Sequence, residues 1–367
     1  MKRFSLLAAA LVLLGLLATY VIAQEEEEAP ATPDRMMAVL KHLESQLEYM
    51  GHQIDVLEKK IDDVSWFVRL GGDIVVEKVR HTGPPPRNVP NPTAQGAGNP
   101  IKFYSYIFYP RNIDRNKKYP MLVFPHGGVH ANFDTYYAYI VTELVQQGYV
   151  IIATDYRGST GYGLGFYRQI DYGGLEVEDV YIGRNYMIEN YKFVDKDRIG
   201  ILGWSHGGLI TLLNIFDHPK DYQCAFAGVP VSDIIARMGY KTQGYRDLYS
   251  AKYHIGKTAY ADVNEYRRRS PAWNAHKMQD TPLLIHTNTN DEDVNVLEVE
   301  HLIKALKAEG KKFEYEIFED YPGGHSFDRL DTKIAREIRL KIYKFLARYL
   351  NPENPINSLS DFPVGDY

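Results

Sequence analysis

Ser205 stands in "GILGWSHGGL" (residues 200–209), with Gly203 and Gly207 on either side and Gly208 next. A serine hydroxyl is a poor nucleophile until a base takes its proton, and that base needs an orienting acid. Two later stretches supply these residue types. "LLIHTNTNDEDVNV" ends an apolar run in Asp291, Glu292 and Asp293, and "FEYEIFEDYPGGHSF" places His325 after two glycines. Such glycines suit a loop that must bring an imidazole close to Ser205. The alternative for His325 is a solvent-facing loop histidine. His301 falls in a helical pattern and His286 in a strand pattern, where packing is the simpler role.

A fourth stretch, "FPHGGVH" (124–130), could supply a donor to an oxyanion. Gly127 and Gly128 let the backbone approach a substrate, and one such donor contributes about 3 kcal/mol to a transition state. His126 and His130 are four residues apart, which raises the question of a metal. They sit in a glycine turn without an evident carboxylate partner, so no metal and no cofactor are expected.

The flanking elements give Ser205 its context. "RIGIL" reads as a buried strand and "GGLITLLNIF" as a helix, so the serine sits at a sharp strand-to-helix turn. The backbone N–H of His206, at the start of that helix, would then face a developing oxyanion. From 101 to 350 short apolar strands alternate with helical patterns. Examples are "YPMLVFP", "YVIIATD", "CAFAGVP" and "PLLIHTN". This alternation predicts an α/β fold of the α/β-hydrolase type, a mainly parallel sheet covered by helices. The order Ser, Asp, His along the chain suits it. Residues 233–270, rich in Tyr and Arg, read as a cap-like insertion, and the polar tail 351–367 as loosely held.

The N-terminal hundred residues are organised differently. Lys2 and Arg3 precede an apolar run to Ala23, which predicts a signal peptide or a membrane anchor at 1–23 and hence a secreted or periplasmic protein. Residues 24–35 read as an acidic linker. Met36, Leu40, Leu43, Leu47, Met50, Ile54, Leu57, Ile61, Val64 and Val68 alternate four and three apart. That seam predicts a coiled-coil-like helix over 36–70 and a homo-oligomer through residues 36–68; the alternative is an amphipathic helix lying on its own domain. Residues 71–100 hold one strand and a Pro/Gly-rich connection. The 367 residues carry a net charge of −5, which gives no footprint for nucleic acid, and the single Cys224 excludes an intrachain disulfide.

Taken in order, "HGGVH", "DYRGSTGYG" (155–163), "GWSHGG", "IHTNTNDEDV" and "YPGGHSF" resemble the catalytic domain of the prolyl oligopeptidase family of serine peptidases. That family includes dipeptidyl peptidases, acylaminoacyl peptidases and oligopeptidases. The resemblance covers about residues 101–350. It implies Ser205 as nucleophile, His325 as base and Asp291 as orienting acid, because the family places the acid three residues before a valine, here Val294. Asp293 is the second candidate, since this chain has Thr287 where the family usually has glycine. The resemblance also keeps a polar role at the oxyanion site for His126. Family peptidases normally carry a β-propeller before the hydrolase domain, and the stretch ahead of residue 101 leaves no room for one. The implied function is cleavage of peptide bonds through an acyl-enzyme, with a carboxylesterase acting on small or polymeric esters as the alternative. A complete triad set argues against an inert scaffold.

Overall fold

The computed structural model describes residues 32–89 and 91–363. The expected signal segment 1–23, most of the acidic linker and the end of the tail lie outside the described residues. The chain divides into two units at Gly51/His52. A helix, α1 (Pro33–Leu70), passes through the division.

The unit from His52 onward is built on one eight-stranded sheet. Its strands are β1 (Ile74–Thr82), β2 (Lys102–Pro110), β3 (Tyr119–Val123), β4 (Val150–Asp155), β5 (Val194–Trp204), β6 (Cys224–Gly228), β7 (Leu283–Asn288) and β8 (Glu314–Phe318). They lie in the order β1-β2-β4-β3-β5-β6-β7-β8. β1 and β2 pair antiparallel, β2 meets β4 antiparallel, and the rest are parallel. This is the α/β-hydrolase-like fold that the strand and helix patterns predict. β3, β4, β5 and β6 are buried along most or all of their length, because helices cover both faces of the sheet. Those helices include α2 (Ala138–Gln146), α4 (Leu175–Asn190) after the one-turn α3 (Leu164–Tyr167), and α5 (His206–Asp217). The insertion forms three short helices, α6 (Ile234–Tyr240), α7 (Gln243–Ser250) and α8 (Val263–Arg268). α9 (Val296–Ala308) and α10 (Lys333–Leu350) complete the set.

Two expectations need correction. No helix among the described residues is long and apolar enough to cross a membrane. The N-terminal anchor, and the secreted or periplasmic location inferred with it, rest on residues outside that set and are not carried further. Second, the tail is not loose as far as residue 363. Ile356 and Phe362 are buried, and Gln147 holds the backbone of Asn354 and Ile356. Two apolar anchors outweigh the polar composition around them.

Of the coiled-coil expectation, the structure shows the N-terminal helix. From His52 onward α1 meets the domain through its polar side. The Lys59 ammonium is buried and donates to Asn132 Oδ1 at 2.8 Å and to the Phe133 carbonyl at 2.7 Å. It also lies 3.3 Å from Asp155 Oδ2. Asp62 accepts from the backbone and hydroxyl of Thr135, and Asp63 accepts from Lys78 and Tyr106. Trp66 is fully buried and stacks on Phe133. The seam residues Ile54, Leu57, Ile61, Val64 and Val68 are 54–78% exposed. The hydrophobic stripe therefore points away from its own domain, against the alternative of an amphipathic helix lying on that domain by its seam.

Removing one partner of a buried ion pair strands the other charge in low dielectric, at about 3–5 kcal/mol. Lys59→Ala is therefore expected to lower the unfolding free energy by about that amount in urea titration. A loss under 1 kcal/mol would contradict the buried-pair account.

Candidate active site

Ser205 lies between β5 and α5 with φ 60° and ψ −120°, a conformation costly for any L-residue. Its N–H donates to the Gly228 carbonyl at 2.9 Å, and its own carbonyl accepts from Val231 at 3.1 Å. The flanking glycines follow from close approach. A Cβ on Gly203 would overlap the Gly207 carbonyl, and one on Gly207 would overlap the Pro125 carbonyl. His206 is the first residue of α5, where a helix leaves N–H groups without intrahelical acceptors.

The loop after β8 carries His325 in a three-residue 3-10 turn. Its Nδ1 sits 2.7 Å from Asp291 Oδ2 and 2.9 Å from Oδ1. The Asp291 carboxylate also accepts from the backbone N–H of Asp293 and Val294, each at 2.8 Å, which fixes its orientation. Glu292 accepts from the N–H of His325 at 3.1 Å. Asp293 takes a different place. Its Oδ2 is 3.8 Å from Nε2 of His325, and its other oxygen is held by Arg237 and Lys241. Burial opposes ionisation of Asp293, but these cations keep its carboxyl below the ordinary value. Asp291 and His325 are thus brought together. No hydrogen bond among the described residues joins the Ser205 hydroxyl to the imidazole. Such contacts are commonly long before substrate binds.

The loop after β3 packs on the Ser205 turn. A Cβ on Gly127 would come within 3.4 Å of the Ser205 Cβ. The Gly127 N–H leans on the Tyr137 hydroxyl at 3.4 Å, a long contact. Gly128 is the loop's left-handed residue, at φ 70°. The His126 ring is turned inward rather than towards Ser205. Its Nε2 meets Ser159 Oγ at 2.9 Å, its ring stacks on Tyr156, and Asp155 lies 3.8 Å away. Burial pushes this imidazole down to about 4, against the pull of Asp155.

The segment "DYRGSTGYG" acquires a physical role here, because its side chains hold that loop from behind. Asp155 accepts from the Phe133 N–H and Tyr162 and pairs with Lys59. Burial alone would raise its carboxyl; Lys59 and His126 hold it below the ordinary value. Arg157 forms a buried two-pronged pair with Asp179 and donates to the Pro84 carbonyl. The support from Lys59 is invisible in the sequence, where it reads as one more charge off the apolar seam. Arg237 is likewise missed. It is buried within the insertion and bonded to Asp293 and Glu298. Nothing in the sequence sets it apart from the other Arg and Lys residues of that Tyr-rich segment.

A model of the prolyl oligopeptidase family matches residues 133–353, more than half of the chain. The chain belongs to that family. It is a serine-type hydrolase with the S9 peptidase catalytic domain, and the described residues form no β-propeller. Mouse dipeptidyl peptidase 8 is 31% identical over 227 residues, 59% of this chain and 24% of that protein. The pig acylamino-acid-releasing enzyme is 26% identical over 251 residues, 67% of this chain and 32% of that enzyme. The chain thus spans about a quarter to a third of the length of these curated relatives. Among solved structures, the Pyrococcus horikoshii acylaminoacyl peptidase superposes with a TM-score of 0.60 at 20% identity. The match covers 78% of this chain and 43% of that one, and it shows the fold.

Several histidines of this family member are buried and resist protonation. Burial holds His130 near 4 and His286, in β7, near 3, while His254 lies well below its ordinary value. Each folded-state value lies below the unfolded one of about 6.5. The stability these groups contribute is therefore complete above about pH 6.5 and is lost as pH falls through the interval below it. His286→Leu is expected to reduce the slope of unfolding free energy against pH, between 6.5 and 4, by up to about 1.4 kcal/mol per unit. Denaturant titrations across that range measure it, and an unchanged slope would refute a neutral buried His286.

Proposed function

We propose that this S9-family hydrolase cleaves peptide bonds through Ser205, His325 and Asp291. The observation that carries the reading is a strained Ser205 turn together with a histidine already paired with Asp291 at 2.7 Å. Ser205 Oγ attacks the acyl carbon as its proton passes to His325 Nε2. The imidazolium formed is stabilised through Nδ1 by Asp291. The proton then goes to the leaving amine as the acyl bond breaks, and water repeats the sequence in reverse to release the acid. The developing oxyanion is assigned to the backbone N–H of His206 and to the Gly127–Gly128 backbone, whose approach to Ser205 supports it. His126 serves by holding that loop, since its ring is engaged with Ser159 and Tyr156.

Asp291 is preferred to Asp293 as the acid because both its oxygens face Nδ1, whereas Asp293 lies beside Nε2 and is claimed by two cations. The peptide preference draws on the names of the relatives, dipeptidyl peptidase and acylamino-acid-releasing enzyme. A panel of aminoacyl-, dipeptidyl- and N-acylaminoacyl-anilides beside short-chain p-nitrophenyl esters tests it. Turnover confined to esters would replace peptidase by esterase. Ser205→Ala is expected to abolish labelling by a fluorophosphonate and to lower kcat by several orders of magnitude. Labelling of the variant at the wild-type rate would remove Ser205 from the mechanism. Asp291→Asn should lower kcat by about 10⁴, as loss of an orienting carboxylate does elsewhere. Should Asp293→Asn show the larger loss in parallel turnover assays, the two aspartates exchange roles.

A further inference from the structure

Trp204, Asp328 and Arg329 form a buried knot that no catalytic step uses. Trp204 ends β5 immediately before Ser205, and Asp328 follows His325 by three residues. Both are almost completely enclosed. The Trp204 indole N–H donates to Asp328 Oδ2 at 2.6 Å. Arg329, also buried, donates to the His325 carbonyl, and its Nε lies 3.5 Å from Asp328 Oδ1. Its guanidinium sits 5.8 Å from the centre of the Trp204 ring. From α10, Arg339 donates to the Asp328 carbonyl at 3.0 Å and is itself anchored on Glu143.

Burying a carboxylate among aromatic side chains is costly, and burial raises the Asp328 carboxyl against the opposing pull of Arg329 and the indole N–H. Well-packed apolar residues often replace such a pair without loss of stability. Stability alone is therefore a weak reason for the knot, and its geometry is the stronger one. Ser205 is fixed by a strand and a helix. The histidine loop has Gly323 and Gly324 at φ 105° and 51° and a single 3-10 turn. Arg339 ties its far end to α10, and its ties from Asn288 and Glu292 run to the side of Asp291. The Trp204–Asp328 hydrogen bond runs to the nucleophile's side.

We propose that Asp328 is a positioning residue that tethers the His325 loop to the nucleophile strand through the Trp204 indole. The proposal rests on the reading of Ser205 and His325 as nucleophile and base. Asp328 touches neither substrate nor reacting atoms. It sets the distance over which the proton must pass, and a misplacement of about 1 Å at such a contact can cost 100-fold in rate.

The test compares kcat, KM and the rate of fluorophosphonate labelling in the full chain and its variants. Asp328→Ala and Trp204→Phe each break the tether from one side. Each is expected to lower kcat and the labelling rate about 10-fold or more, with KM within about threefold. The double variant should be no slower than the slower single one, because both remove one interaction. Asp328→Asn keeps an acceptor for the indole and should recover most of kcat. Losses that multiply in the double variant, a KM-dominated effect, or full activity in Trp204→Phe would each overturn the proposal. If Asp328→Ala does not fold, Trp204→Phe and Asp328→Asn still decide it. Ser205→Ala separates the two levels: labelling that survives there refutes the nucleophile itself, whereas labelling lost there but normal in Trp204→Phe refutes only the tether.

Discussion

The left-handed backbone of Ser205 is the constraint around which the rest of the site is arranged. An L-residue holds φ 60° only when its surroundings over-determine it. Here the Gly228 carbonyl and the Val231 N–H clasp the serine's own backbone, and two residues without side chains allow the strand, the helix and the loop after β3 to meet at one point. This convergence needs parallel neighbours. β5 lies between β3 and β6, so their C-terminal ends deliver the glycine loop on one side and the Gly228–Val231 turn on the other.

Behind the glycine loop lies a second layer of polar contacts. His126 cannot act on a substrate while its ring is engaged with Ser159 and Tyr156. Its Nδ1 does meet the Gly127 carbonyl at 2.9 Å, and Tyr156 donates to the carbonyl of His126 itself, so this pair holds the loop backbone. Asp155 connects this layer to Lys59 of α1, and Arg157 connects it to the proline-rich connection before β2. The site is thus braced by segments that sequence order places far from it.

Much of this was legible in the sequence. Strand and helix periods, the glycines around Ser205 and the loops carrying Asp291 and His325 all announce themselves locally, because each is dictated by neighbours a few residues away. The difference in surroundings between Asp291 and Asp293 was not. It depends on Arg237 and Lys241, which come from an insertion without a regular pattern. Asp328 gave no sign either, since a carboxylate paired with an indole 124 residues earlier in the chain looks like any loop aspartate. The docking face of α1 was not legible either. The apolar seam marks the side left exposed, and from His52 onward the helix docks through Lys59, Asp62, Asp63 and Trp66, which read as residues off that seam.

That inverted docking has a consequence for how the helix finds its place. An apolar ridge lying in an apolar groove can slip by a turn and still bury similar area, because hydrophobic contact has little directional preference. A lysine seated between an amide oxygen, a backbone carbonyl and a carboxylate cannot. Sliding α1 by four residues would bring Asp55 or Asp63 to the place of Lys59, a like charge opposite Asp155, and lift Trp66 from Phe133. The attachment therefore works as an index pin: it fixes both the rotation and the axial position of residues 52–70, so that the strip of apolar residues is displayed on a chosen side.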